Sequence, residues 1–243
     1  MISIAPLTMR YLETYRLVGV PDRAYYIPDF ISEGEEQSLI EKIQSVPSAR
    51  WTALSRRRLQ SWPTQLLQGS ILPTTDAIPN WLADSIVSRT IDLGIWSASP
   101  HGRANHCLIN EYEPGQGIMP HEDGDVYYPM VATVSLNDGI ILDVYGKSDD
   151  GVRIVKYRIY QEPRSLLVTT DEMYTKYLHG IQEILVDKDL SSDTVSNWHF
   201  LSKETRESIE MNGGLLKRRT KRISLTFRDV KKVRNLSRFL QTK

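Results

Sequence analysis

Arg222-Ile223-Ser224-Leu225-Thr226-Phe227-Arg228 alternates residue by residue. In extended backbone successive side chains leave opposite faces, so Ile223, Leu225 and Phe227 share one face and Arg222, Ser224, Thr226 and Arg228 the other. A strand lying between two layers does not bury two guanidinium groups unless something anionic pairs with them, because desolvating an unpaired charge costs several kcal/mol. The arginines are six residues apart, about 20 Å along an extended strand, so they cannot grip one carboxylate and must do different jobs. A surface strand with outward arginines is the plain alternative.

This strand closes a series of short β-rich runs that begins near residue 104 and is punctuated by Gly, Pro, Asn and Asp. The runs cover 105–112, 130–136, 140–145, 152–160, 165–170, 177–184 and 222–229. Their spacing is that of an all-β sandwich or jelly roll, and no helix-length pattern separates them, which argues against a doubly wound parallel sheet. Helices are expected earlier in the chain. Ser32, with Glu35 three residues on, makes a capping box for a helix carrying Leu39, Ile40 and Ile43 on one stripe and stopped by Pro47. A second helix runs over 80–93, with Trp81, Leu82, Ile86 and Ile91 inward and Gly94 as its left-handed terminator. Between them, residues 51–72 mix Trp51, Arg56, Arg57, Arg58 and Trp62 in a hairpin or loop that offers charge for phosphates and rings for stacking, a mixture equally suited to surface strands. The polar stretch 187–213 reads as a partly helical insert.

With 243 residues, 40% hydrophobic and 25% charged, the chain suits one large domain with a buried core. Arg10, Glu13 and Arg16 interrupt every apolar run near the start, so neither a signal peptide nor a membrane span is expected. The sole cysteine, Cys107, excludes an internal disulfide and fits the cytoplasm and/or nucleus. The net charge is zero, yet from Lys203 to Lys243 thirteen Lys/Arg against four Asp/Glu give +9, balanced by −9 elsewhere. That basic end is either a solvated face or a nucleic-acid contact. A Ser/His/Asp hydrolase lacks its Gly-x-Ser-x-Gly elbow.

His121-Glu122-Asp123 carries the chemistry. Two residues apart in extended backbone, His121 and Asp123 present an imidazole and a carboxylate to one metal ion. One more imidazole on a facing strand completes the 2-His-1-carboxylate triad suited to non-haem Fe(II), and His179, in Tyr177-Leu178-His179-Gly180, is the best candidate. His101, His106 and His199 read as packing or surface histidines. Asn110 and Tyr112 obey the same alternation on the preceding strand, where an amide and a phenol can donate to the two ends of a small diacid.

Asn110-x-Tyr112, His121-x-Asp123, His179 and Arg222-x-Ser224-x-Thr226-x-Arg228 together resemble the AlkB-like family of Fe(II)- and 2-oxoglutarate-dependent dioxygenases. Pro28-Asp29-Phe30 and Arg57-Arg58-Leu59-Gln60-Ser61-Trp62 extend the likeness over nearly all of 25–230; the bacterial type has Asn where this chain has Ser224. The resemblance implies a mainly β (α+β) fold, a double-stranded β-helix or jelly roll with N-terminal flanking helices. On that basis we expect one domain over 1–243: an extension with helices and substrate lid (25–103), a jelly-roll core (104–230) and a basic tail (231–243). It implies His121, Asp123 and His179 as Fe(II) ligands, and 2-oxoglutarate held by Asn110, Tyr112, Arg222, Ser224 and Arg228. Arg222, helped by Tyr112, would take the distal carboxylate, and Asn110 and Arg228 the metal-proximal end. Arg56, Arg57, Arg58 and Trp62 would meet substrate. The implied reaction uses molecular oxygen, turns 2-oxoglutarate into succinate and carbon dioxide, and hydroxylates a substrate carbon, commonly an N-methyl group lost as formaldehyde. Alkylated DNA or RNA is the expected partner, with no membrane and a monomeric chain. A hydroxylase or demethylase of protein or small molecules, and a largely non-catalytic nucleic-acid-binding module, are the other readings.

Overall fold

The computed structural model describes residues 11–21, 23–66, 69–71, 76–148 and 150–234, so the basic tail expected over 231–243 lies outside the described residues from 235 onward. Among them the alternating stretch is a strand buried along its whole length, Arg222–Val230. It sits in the middle of a seven-stranded sheet with the spatial order β1 (Tyr25–Ile27), β9 (Leu166–Thr170), β6 (Tyr127–Leu136), β13 (Arg222–Val230), β4 (His106–Tyr112), β3 (Arg57–Trp62) and β2 (Thr52–Leu54). A four-stranded sheet, β5 (Ile118–His121), β10 (Leu178–Ile181), β7 (Ile140–Lys147) and β8 (Arg153–Gln161), supplies the other layer. The pairings are antiparallel, and side chains of both sheets line one cavity, so the layers form a jelly roll.

Period two decides what each layer faces. Ile223, Leu225 and Phe227 join Ile109, Ala132, Val134 and Val168 on the outer side of the large sheet. There they meet Leu39 and Ile43 of the helix α1 (Glu33–Ser45). Phe227 is fully buried, a contribution of about 1.5–3 kcal/mol. The opposite face of β13 turns Arg222, Ser224, Thr226 and Arg228 into the cavity. α1 begins as expected: Ser32 Oγ accepts from the Glu35 N–H at 3.3 Å, and the Glu35 carboxylate accepts from the Ser32 N–H at 2.8 Å.

The second helix departs from expectation. It runs as α2 (Asn80–Leu82), a wide π-turn over Ala83–Val87, and α3 (Ser88–Asp92). The wide turn holds an extra residue, which rotates the residues after it by about 100° relative to an α-helix. Thr90 therefore faces inward, accepting from Trp96 Nε1 at 2.8 Å, while Ile91 is 40% exposed rather than buried. Gly94 ends the helix with φ +72°, as expected.

After the small helix α4 (Asp171–Thr175), the insert over 187–213 is partly helical. It contains α5 (Lys203–Met211) and packs Leu190, Val195, Leu201 and Ile209 on Ile141, Ile159 and Leu167. Its ends are drawn together by β11 (Val186–Asp187) and β12 (Leu216–Lys217), and by a buried two-pronged pair in which Arg218 donates to Asp187 at 2.9 and 2.8 Å.

Candidate active site

β5 has no counterpart in the sequence pattern, because its four residues contain Pro120 and follow a glycine-rich turn. It nevertheless positions the site. Paired with β10, it sets His121 directly opposite His179, with ring centroids 4.4 Å apart. Gly117 permits the approach, since a Cβ there would lie 2.2 Å from the Ile181 carbonyl oxygen. Asp123, just past β5, brings the third group: ligand atoms of His121, Asp123 and His179 all lie within 4.8 Å of one another.

Each of the three is prepared for a cation. His121 Nδ1 donates to the Met119 carbonyl at 2.9 Å, which assigns the proton to that nitrogen and leaves the Nε2 lone pair free. Burial pushes His179 down to about 4, against the pull of the Asp123 charge, so its imidazole is neutral at pH 7. Burial works against ionisation of Asp123, yet the adjacent Arg228 guanidinium prevails and holds its carboxyl below the ordinary value. Asp123 Oδ1 accepts from Arg228 Nη2, while Oδ2 is buried without a hydrogen-bond partner. An orphaned anionic oxygen costs several kcal/mol unless a cation meets it. Two imidazoles and this oxygen fit a divalent metal of N/O preference, Fe(II) among them.

A different environment surrounds the other end of β13. The register with β4 places Arg222 opposite Tyr112 and Ser224 opposite Asn110, so the residues expected from the alternation do share one wall. Arg222 Nε and Nη2 donate to Ser135 Oγ at 3.2 and 2.7 Å, and Nη2 also to Gln161 Oε1 at 3.1 Å. Tyr112 lies with its ring centroid 5.9 Å from the guanidinium carbon. All these partners are neutral, and among the described residues no carboxylate stands within ion-pair distance. Burial lowers Arg222 to about 10, which leaves it cationic at pH 7. Sequence reasoning missed Ser135 and Gln161; both point inward from strands whose register only the folded sheets define.

Arg57 Nε donates to Asn110 Oδ1 at 3.1 Å. A guanidinium can only donate, so the amide oxygen must face Arg57 and the Nδ2 donors are left for other acceptors. Of the residues expected to meet substrate, Arg57 lines the cavity and Arg56, Arg58 and Trp62 do not. Arg56 pairs with Glu183 at 3.2 Å, Arg58 grips Glu111 at 2.6 and 3.0 Å over the Trp51 ring, and Trp62 lies 3.6 Å beneath Arg50. The remaining histidines stay out of the cluster: His101 bonds Asp229 at 2.6 Å, His199 packs on Phe200, and His106 is buried against Tyr127. The cavity itself holds about 280 Å³, with Leu142, Val144, Leu167 and Met173 as apolar wall.

A jelly roll that gathers two histidines and an aspartate at one point, beside a buried guanidinium with only neutral partners, defines a non-haem metal oxygenase. Residues 23–228 match the 2OG-Fe(II) oxygenase superfamily, and the chain belongs to that family. It is 35% identical over 240 residues to the Danio rerio protein "Probable RNA/DNA demethylase ALKBH6", covering 96% of both chains. It is 29% identical over 208 residues to "Uncharacterized protein L905" of Acanthamoeba polyphaga mimivirus, covering 84% of this chain and 83% of that one. The fold resembles the solved OsALKBH1 structure, with TM-score 0.52 at 17% identity over 85% of this chain and 97% of that chain. It also resembles a 2OG-Fe(II) oxygenase-family oxidoreductase from Burkholderia pseudomallei, with TM-score 0.53 at 13% identity over 93% and 94%. The protein is therefore an AlkB-like dioxygenase that uses Fe(II), 2-oxoglutarate and molecular oxygen. Among the described residues no helix is long and apolar enough to cross a membrane.

Proposed function

We propose that this dioxygenase removes N-linked methyl groups from alkylated DNA or RNA, acting as a monomer in the cytoplasm and/or nucleus. The observation that carries the substrate class is the 35% identity, over 96% of both chains, to a relative named as a probable RNA/DNA demethylase.

His121, Asp123 and His179 would hold the iron. Once bound, iron, 2-oxoglutarate and oxygen supply the oxidation: the methyl carbon gains a hydroxyl, 2-oxoglutarate becomes succinate and carbon dioxide, and the hydroxymethyl group leaves nitrogen as formaldehyde. The chain's own residues bind and orient. Arg222 offers its charge and its Nη1 donors, the pair not spent on Ser135 and Gln161, to the distal carboxylate of 2-oxoglutarate, with the Tyr112 phenol beside it. Asn110 offers its Nδ2 donors to the metal-proximal end, with Ser224 opposite it on β13. Arg228 occupies Asp123 Oδ1, so that Oδ2 is the oxygen left for the metal. Leu142, Val144 and Leu167 keep water from the reacting carbon.

The test is incubation with single-stranded DNA and RNA carrying N-methylated bases. The expected result is formaldehyde release matched to methyl loss by mass spectrometry, both absent in His179→Ala. Succinate formation without methyl loss from any such strand, alongside oxidation of a protein or small molecule, would contradict the proposal.

A further inference from the structure

A second groove, of about 650 Å³, adjoins the iron cavity, and Glu122, set between His121 and Asp123 in the chain, lines both. Its walls are the ends of β7 and β8 that meet at their hairpin, together with the residues leading into β10. Tyr145 stands beside Leu178 in the ladder, next to His179, and Lys147 faces Arg153 across the hairpin. Gly146 is the floor: a Cβ there would lie 2.9 Å from Lys156 Cγ and 3.1 Å from Tyr177 Cε1. The Lys156 stem and the Tyr177 ring thus lie over bare backbone, with the Lys156 side chain exposed.

The charge in this groove is one-sided. Among the described residues, Lys147, Arg153, Lys156 and Lys176 line it against one carboxylate, that of Glu122. Lys176 is engaged by Glu172. Lys147, Arg153 and Lys156 are exposed, and among the described residues no carboxylate stands within ion-pair distance of them. Asp150, in the same hairpin, turns its carboxylate instead to the Ser148 hydroxyl and the Val152 N–H. In a chain of zero net charge this is a local concentration made by the fold. Tyr145 and Tyr177 add flat rings between the cations. Positive charge interleaved with stacking surface suits a single-stranded nucleic acid better than an acidic peptide, which has no use for the rings.

We propose that this groove carries the phosphate backbone of the strand whose target base enters the iron cavity. The inference rests on the nucleic-acid reading above and deepens it. A base that reaches the cavity has left its stack, so the adjoining backbone must be held outside, and Glu122 marks where cavity and groove join. Arg56, Arg58 and Trp62, expected from sequence to do this work, are already engaged by Glu183, Glu111 and Arg50.

The test is the salt dependence with which a fluorescent single strand carrying an N-methylated base binds the full chain. The combined Lys147→Gln, Arg153→Gln, Lys156→Gln variant should lower the slope of log affinity against log salt by about 2, at roughly 0.7 per lost phosphate contact. Calorimetric binding of 2-oxoglutarate and the melting temperature should stay at wild-type values. Lys147→Arg with Lys156→Arg should keep the wild-type slope. A wild-type protein that binds the strand with a slope the Gln variant retains would overturn the groove while leaving the nucleic-acid reading intact. A wild-type protein that binds no DNA or RNA strand, and an acidic peptide instead, would overturn both.

Discussion

Arg222 and Arg228 lie on the same face of the same strand, both buried, and differ in what the fold gives them. Arg228 has an anion within the protein, the Asp123 carboxylate, and packs 5.0 Å from the Tyr127 ring centroid. Burial, the largest single influence, would lower it, but the Asp123 charge and hydrogen bond, with Tyr127 and Tyr174, together raise it above its ordinary value. Arg222 has Ser135, Gln161 and Tyr112, all neutral, and is lowered by burial. A buried cation neutralised by the fold belongs to the folded protein. One left without an anion destabilises the protein until a ligand brings the anion, and so marks a binding group held ready.

The largest expected effect concerns the neutralised arginine. Arg228→Met leaves Asp123 buried and unpaired, and should reduce the unfolding free energy of the metal-free protein by about 3–5 kcal/mol. Divalent metal should restore part of that loss, because it binds the folded state at the same carboxylate. Urea unfolding with and without metal reads both effects, and a loss below about 1 kcal/mol would erase the contrast between the two arginines.

A smaller effect is expected at Arg57, which fixes the Asn110 amide. Arg57→Met should weaken 2-oxoglutarate binding about tenfold, in line with losing one charge-assisted hydrogen bond of about 1.5 kcal/mol that orients the donor. Iron affinity should be unchanged. If the nucleic-acid affinity falls and the 2-oxoglutarate affinity does not, Arg57 serves the substrate instead.

An effect of comparable size is one of pH, at the Arg228 end. Burial first, and the Arg228 charge second, hold His106 down to about 3. Its folded value is depressed, so between about 6.5 and 3 the unfolded chain takes up a proton that the folded chain refuses. Stability should therefore decline as pH falls through that window, with no His106 contribution above it. His106→Phe should flatten the decline in melting temperature between pH 7 and pH 5; an unchanged decline would place its origin elsewhere.

What the sequence disclosed follows from where local pattern and fold coincide. Arg222 to Arg228 and Asn110 to Tyr112 were legible because period two alone assigns their faces, and the capping box at Ser32 because it closes within four residues. β5 was not, since a four-residue strand with Pro120 has no alternation to read and depends on Gly117 to approach β10. Ile91 takes the face opposite to the one its spacing implies, because the π-turn before it changes the helical phase. Arg58 and Trp62 carried the composition of a nucleic-acid contact, yet register set them against Glu111 and Arg50. The basic groove went unread because Lys147, Arg153, Lys156 and Lys176 are scattered in sequence and only the hairpin and β10 bring them together.

Arg222, buried among neutral partners, waits for an anion. Arg222→Met tests this most directly, with two readings on one variant: urea unfolding of the protein without 2-oxoglutarate, and calorimetric binding of 2-oxoglutarate. Removing an unneutralised buried charge offsets the unpaired Ser135 and Gln161 oxygens left behind, so stability should stay within about 1 kcal/mol of wild type. Binding of 2-oxoglutarate should weaken by about 2–5 kcal/mol, thirtyfold or more. A variant destabilised as much as Arg228→Met that still binds 2-oxoglutarate at wild-type affinity would contradict the account.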